Sequence, residues 1–271
     1  MEEIDYNDWK KIGGDRVSAI GLGTWAIRSP KAAIETLTEA INTGKINMID
    51  TAEMYGSGEA ERIVGEVARR VGRDNVFITT KILPHRLASP TSLEKAVKAS
   101  LNRLATRQVD LLLIHWPNPT MPIERQVRML ETMLEKGYTR YIGVSNFNKE
   151  QLLTAITATK KTEITVNQIH YSILHREPEE TSLLKTAIQN NITIQAYTPL
   201  EHGRVNNHPT LREIAKKTGK TPVQIALNYL ISKPRVTAIP KTENRKHLHE
   251  ILGALGWRLD KQTLKQLAEK T

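Results

Sequence analysis

Short apolar runs alternate with longer segments of helical periodicity along most of the chain. The runs are β-branched or leucine-rich, and the segments between them place apolar residues on one helix face. Strands are expected at 19–23, 47–51, 76–80, 109–114, 141–144, 164–169, 193–197 and 236–239. Helices are expected at 30–43, 58–71, from 89 onward, 122–137, after Asn148, at 179–190, at 209–217 with 222–232, and at 244–255. Pro30, Ser89-Pro90 and Pro122 are opening signals, and Gly44 and Gly137 are closing ones. The strand runs do not alternate strictly between apolar and polar, as suits strands buried on both faces.

Eight strand–helix units describe an α/β fold of the (β/α)8 TIM-barrel type, whose usual size is roughly 250 residues. An open doubly wound sheet is the structural alternative. Outside the repeat, residues 9–18 read as a β-hairpin turning at Gly13-Gly14-Asp15, and 261–270 as an extra C-terminal amphipathic helix. No linker or low-complexity block interrupts the pattern, so residues 1–271 are expected to form a single barrel domain.

Composition narrows the chemistry. The 39% hydrophobic content suffices for a large core, and the absence of cysteine removes disulfides, thiolate nucleophiles and cysteine metal sites. No apolar run approaches the ~20 residues of a membrane span. The opening Met1-Glu2-Glu3-Ile4-Asp5 is acidic and lacks a signal-peptide apolar region, so a cytoplasmic protein that does not engage membranes is expected. The net charge of +10 reads either as a lysine-rich solvated surface or as a field that attracts anions such as phosphorylated cofactors. Nucleic acid is not expected as a partner, because only 5% of residues are aromatic and no basic stripe is interleaved with them.

In such barrels the active site lies at the C-terminal ends of the strands. Standing there are Thr24 and Trp25, Asp50 and Tyr55, Lys81, His115 and Trp116, Ser145 and Asn146, Gln168 with His170, Tyr197, and Pro240-Lys241-Thr242. Each has a structural reading: Lys81 as the partner of Asp50, His115 as a satisfied core histidine, Gln168 as a partner of backbone groups. Their concentration at one rim favours a site. An ammonium beside Tyr55 would lower the phenol pKa from about 10. Asp50 would hold Lys81 charged, and His115 would share a substrate oxygen with Tyr55. Such a group can protonate an oxygen that turns negative as a carbonyl accepts hydride.

Hydride needs a donor. Gly21-Leu22-Gly23-Thr24-Trp25-Ala26 matches the dinucleotide pattern G-x-G-x-x-A, yet the early helix of a mononucleotide-binding half is missing, so the match is treated as a decoy. A better phosphate site lies where the last barrel strand meets its helix, with Lys241, Arg245 and Lys246 around a helix start. A solvated basic turn is an equal reading of Arg245 and Lys246. A metal-dependent hydrolase using Asp50, His115, His170 and His175 is a weaker alternative, since no H-x-H pair is present.

These segments together resemble the aldo-keto reductases. The matching stretches are Gly21-Leu22-Gly23-Thr24-Trp25, Ile49-Asp50-Thr51-Ala52 with Tyr55-Gly56, Thr79-Thr80-Lys81, Leu113-Ile114-His115-Trp116-Pro117, Ile142-Gly143-Val144-Ser145-Asn146-Phe147, Val166-Asn167-Gln168, Ala196-Tyr197-Thr198-Pro199-Leu200 and Ile239-Pro240-Lys241-Thr242. The resemblance implies metal-free reduction of aldehydes or ketones to alcohols with NADPH, NADH use being left open. It places Asp50, Tyr55, Lys81 and His115 on the catalytic tetrad, with Tyr55 as general acid. It implies that Ser145, Asn146 and Gln168 hold the nicotinamide carboxamide and that Tyr197 stacks on the ring. Lys241 and Thr242 match contacts to the adenosine 2′-phosphate and Glu250 one to the adenine. Arg245 is expected to assist at the phosphate, and Thr24, Trp25 and Leu200 to touch the cofactor. Trp25, Met54 and Trp116 would line the substrate pocket.

Two departures concern the adenosine end: His247 stands where an arginine is common, and Ile251 replaces an asparagine. The loops after the fourth and seventh barrel strands are short, which implies an open pocket for small aldehydes or dicarbonyls. A monomer is expected, with a weak dimer as the alternative. A cofactor-binding sensor on the same barrel is the competing function class.

Overall fold

A computed structural model describes residues 4–270. Met1–Glu3, most of the acidic opening segment, and Thr271 lie outside the described residues. Strands β1 (Trp9–Ile12) and β2 (Asp15–Ser18) form the expected antiparallel hairpin. Its turn needs Gly13, which has φ +56° and lies against the Tyr141 ring where a Cβ would collide. Ile12 and Val17 are fully buried in a cluster with Met48, Phe77, Leu111, Leu113 and Val166. Those five come from strands of the barrel, so the hairpin plugs the amino end of its interior.

The barrel strands are β3 (Leu22–Gly23), β4 (Met48–Asp50), β5 (Phe77–Ile82), β6 (Val109–Ile114), β7 (Thr139–Ser145), β8 (Ile164–His170), β9 (Thr193–Tyr197) and β10 (Val236–Ala238). They pair in parallel and in sequence order from β3 to β10. An Ile20–Ala238 bridge joins the two ends and closes the ring. At this seam the Gly21 N–H donates to the Ala238 carbonyl at 2.9 Å and the Gly23 N–H to Pro240 at 3.0 Å. A Cβ at Gly21 would lie 2.7 Å from Met48 Cε, and one at Gly23 would lie 3.1 Å from the Ile239 carbonyl. The glycines of the dinucleotide-like pattern therefore serve barrel closure, as its treatment as a decoy requires.

Outside lie α1 (Pro30–Asn42), α2 (Glu59–Val71), α3 (Pro90–Arg103), α4 (Ile123–Glu135), α5 (Lys149–Ala158), α6 (Glu177–Glu180), α7 (Leu183–Gln189), α8 (Pro209–Thr218), α9 (Pro222–Ile231), α10 (Arg245–Leu252) and α11 (Lys261–Lys270). Their apolar faces and the outward faces of the strands form one continuous buried cluster. Two expectations are corrected. The helix expected at 179–190 is two pieces, α6 and α7, parted by Ser182 at φ +60°. There the Thr181 hydroxyl donates to the Glu177 carbonyl at 2.8 Å, a local bond that competes with helix continuation. The third barrel strand does not stop at residue 80 but runs through Lys81 to Ile82.

One buried charge pair fixes α2 and α3 against β5. The fully buried Glu61 carboxylate accepts from Arg103 Nε at 2.6 Å and from the Thr80 hydroxyl at 2.6 Å. The same arginine covers Gly58, where an added Cβ would lie 2.5 Å from Arg103 Cδ. Arg103→Met would leave Glu61 buried without its counter-charge. We expect a loss of about 3 kcal/mol of unfolding free energy, read from the denaturant midpoint. A loss under about 1 kcal/mol would mean that the pair behaves as a surface contact.

Candidate active site

Strand register brings the first two groups together. Asp50 pairs with Thr79 across β4 and β5, and Lys81 lies two residues further along, on the same inward face. The Lys81 side chain is wholly buried. A buried ammonium is tolerated only when its donors are used. Lys81 Nζ donates to Asp50 Oδ2 at 2.7 Å, to the Thr51 carbonyl at 2.9 Å and to the Tyr55 hydroxyl at 3.1 Å. Burial opposes its charge, but Asp50 and Tyr55 outweigh burial and hold its pKa above the ordinary lysine value. Burial also lifts Asp50 above the usual carboxylate range, against the pull of Lys81 and Gln168.

Tyr55 is carried on a segment stitched to β5. The Thr51 N–H donates to the Thr79 carbonyl at 2.8 Å and the Glu53 N–H to that of Lys81 at 3.2 Å. Glu53 Oε1 then accepts from the Leu83 N–H at 2.8 Å. The chain then turns tightly over Tyr55–Gly58, where Gly56 and Ser57 have φ near +55°. The phenol pKa is raised, because burial outweighs the effect of Lys81. This overturns the expected lowering: the ammonium is present, but the dry surroundings penalise a phenolate more than it compensates.

His115 follows β6 directly. Its ring meets that of Tyr55 edge-on, with centroids 5.6 Å apart and planes at 75°. Burial, with a smaller push from the Lys81 charge, drives the imidazole pKa down to about 3, so the ring is neutral near pH 7. Its Nδ1 is buried without a hydrogen-bond partner. Phenol, ammonium and imidazole are therefore neighbours at one end of the barrel. Around them, Trp25, Met54 and Trp116 are three of the five large hydrophobic side chains left exposed among the described residues. Apolar groups held open beside a polar centre mark a place for a ligand.

Across the barrel, Gln168 reaches Asp50: its Nε2 donates to Asp50 Oδ1 at 2.7 Å and also contacts Gln195 Oε1. Gln195 in turn lies with Nε2 3.1 Å from Met48 Sδ. From the sequence alone, neither the bond from Gln168 to Asp50 nor a place for Gln195 is expected. Period-two alternation back from Tyr197 along β9 would have pointed Gln195 inward. Beside Gln168, the Ser145 hydroxyl donates to its carbonyl at 2.8 Å. Asn146 sits at φ +60° and donates to the His115 carbonyl at 3.1 Å. The Tyr197 hydroxyl donates to Asn146 Oδ1 at 2.8 Å. His170 lies parallel to the Tyr197 ring at 5.6 Å and to His175 at 3.9 Å. Thr24 is close by, donating to the Asp50 carbonyl at 2.9 Å, and Leu200 packs half-buried against the outer core.

The residues expected at the adenosine end stand together beside the β3–β10 seam, but the charges of Lys241 and Arg245 are already engaged. Lys241 pairs with Glu243, and Arg245 pairs with Glu39. The Thr242 hydroxyl donates to the Asn244 carbonyl at 3.2 Å, and Asn244 caps α10. Glu250 lies in that helix, half-buried. The histidines weighed for a metal site divide: His170 stacks on His175, while His115 lies against Tyr55. Among the described residues no group of three or more His, Asp or Glu side chains is arranged to hold a metal ion.

Known proteins share this arrangement of elements. A sequence model described as "Aldo/keto reductase family" matches residues 19–271. Methylglyoxal reductase YeaE of Escherichia coli (strain K12) is 30% identical over 266 residues, covering 95% of this chain and 92% of that protein. Aldo-keto reductase YhdN of Bacillus subtilis (strain 168) is 37% identical over 212 residues, which are 73% of this chain and 62% of that protein's length. The crystal structure of an aldo/keto reductase from Klebsiella pneumoniae in complex with NADP and acetate superposes with a TM-score of 0.89 at 31% identity, over 97% of this chain and 94% of that one. With a family match over nearly the whole barrel, a near full-length relative and a shared fold, the chain belongs to the aldo/keto reductase family.

Proposed function

We propose that the protein reduces small aldehydes or dicarbonyls to alcohols with NADPH, and that Tyr55 is the general acid. The observation that carries this reading is the Tyr55 hydroxyl 3.1 Å from the Lys81 ammonium, with the neutral His115 ring edge-on beside it. A carbonyl oxygen placed at the phenol would gain negative charge during reduction, and Tyr55 would deliver its proton there. The Lys81 ammonium stabilises the tyrosinate left behind, while Asp50 keeps that ammonium in place. His115, uncharged, can donate one hydrogen bond to the same oxygen without competing as an acid.

The surroundings fit a nicotinamide cofactor. Ser145, Asn146 and Gln168 offer a row of amide and hydroxyl groups for a carboxamide, and the partly exposed Tyr197 ring, backed by His170, offers a plate for an aromatic ring. Lys241, Thr242, Arg245 and Glu250 would face the adenosine end. Bound there, the reduced nicotinamide supplies the hydride. The open apolar rim of Trp25, Met54 and Trp116 suits small substrates, in keeping with the methylglyoxal reductase named among the relatives.

Tyr55→Phe removes the proton donor and little else. We expect kcat for an aldehyde such as methylglyoxal to fall by about 100-fold or more, with NADPH affinity unchanged in a direct binding titration. Turnover near the wild-type rate would remove Tyr55 from the role.

The pKa directions set a second test. Tyr55 is raised above the ordinary phenol value, so it stays protonated through neutral pH and is lost as an acid only at higher pH. His115 is neutral well above about 3. The kcat for reduction should therefore be flat from about pH 6 to 9, below the ordinary phenol pKa of about 10. An inflection near 6.5 that disappears in His115→Asn would show that the imidazole titrates in its ordinary range.

A further inference from the structure

The loop after β10 carries a carboxylate that none of the preceding roles uses. Glu243 is largely buried, with its side chain 14% exposed. Both of its oxygens accept the Arg28 N–H at 3.1 Å, Oε2 accepts the Ser29 N–H at 2.6 Å, and Oε1 pairs with Lys241. Ser29 is the N-cap of α1, so the carboxylate also sits at a helix start, where negative charge is favoured. Burial works against the charge, but Lys241 and the two backbone donors hold the carboxyl below the usual range. Glu243 is therefore a fixed anion locked onto the lysine expected to meet the adenosine phosphate. The second cation nearby is also matched: Glu39 accepts from Arg245 and lies 3.2 Å from His249 Nε2.

A 2′-phosphate carries up to two negative charges. Lys241 uses one ammonium donor on Glu243, so a phosphate drawn to its other donors comes to rest beside a carboxylate of the same sign, and the two anions repel. A free ribose 2′-hydroxyl has the opposite relation to the same group, since it can donate a hydrogen bond to a carboxylate. Specificity is a difference of affinities, and an element that repels one ligand counts as much as one that attracts the other. We propose that Glu243 is a cofactor-specificity residue, which contests Lys241 with the 2′-phosphate of NADPH and accepts the 2′-hydroxyl of NADH, so that the protein takes both cofactors. This rests on the assignment of Lys241 to the adenosine end made above.

The test is direct binding, independent of turnover. Dissociation constants for NADPH and NADH are measured by calorimetry on the wild type, Glu243→Gln and Lys241→Ala. Glutamine keeps a carbonyl oxygen for the Arg28 and Ser29 N–H groups while removing the charge. The wild type should bind the two cofactors within about tenfold of each other, a difference of about 1.4 kcal/mol. Glu243→Gln should move the ratio about tenfold toward NADPH, chiefly by tightening NADPH, and Lys241→Ala should move it toward NADH. An unchanged ratio in Glu243→Gln, or equal weakening of both cofactors, overturns the proposal and leaves Glu243 as an anchor of the Arg28–Ser29 loop. Failure of the wild type to bind either cofactor overturns the reductase reading itself.

Discussion

A lysine ammonium sealed inside the barrel is the constraint around which the upper half of the interior is arranged. Lys81 has no solvent to turn to, and each of its three donors has an acceptor supplied by a different piece of chain: β4, the residue after β4, and the phenol of the following turn. Removing any one would leave a buried donor unmade, at a cost of about 1–3 kcal/mol, more for a charged group. The need to satisfy a charge and the need to place a phenol are thus met by the same bonds. Asp50 is held in turn from across the barrel by Gln168, and Gln168 by Gln195. The polar layer is a network whose members fix one another, so its geometry is set before any ligand arrives.

That layer works because of what lies below it. Met48, Phe77, Leu111, Leu113 and Val166, closed off by Ile12 and Val17 of the hairpin, keep the amino half of the barrel dry. Poor solvation is what raises the Tyr55 phenol and lowers the His115 imidazole. The two shifts are complementary. One keeps a proton on the group proposed to give it up, and the other keeps a positive charge off the imidazole beside it. An ammonium alone would have pushed the phenol toward ionisation. Burial reverses the sign, and the ammonium remains beside the phenol oxygen, where it would stabilise the anion in the proposed transfer.

The barrel was legible because its strands are near-continuous apolar runs between well-marked helices. β6 and β9 have the bounds expected of them. β5 was cut short at its informative residue, since a lysine reads as the end of an apolar strand unless its partner is known. Asp50 and Tyr55 could be picked out because they lie at the end of one apolar run and in its loop, and Lys81 and His115 because they stand just after the next two runs expected from the sequence. The Gln168–Asp50 bond could not, because its partners are 118 residues apart and meet only when the barrel closes. The sign of the Tyr55 shift was equally hidden, because charge is written in the sequence while burial is a property of the folded whole.

The segment proposed to meet the adenosine shows the same limit for positive charge. Lys241, Arg245 and Lys246 in one short segment read as a basic cluster, and the net charge of +10 encourages that reading. In the fold, Glu243 and Glu39 cancel the first two, one from the same loop and the other from α1. At the helix start two of the three cations are thus matched, and Lys246 alone of the three has an exposed side chain outside these pairs. A phosphate drawn to Lys241 meets the repulsion of Glu243 as well as the attraction of the ammonium, and its gain is the difference between the two. A short-range difference of that kind is sensitive to a single carboxylate. The seam where β3 meets β10 therefore joins two problems: the bonds from Glu243 to Arg28 and Ser29 brace the closure of the barrel, and its contact with Lys241 sets the charge met by whatever binds beside it.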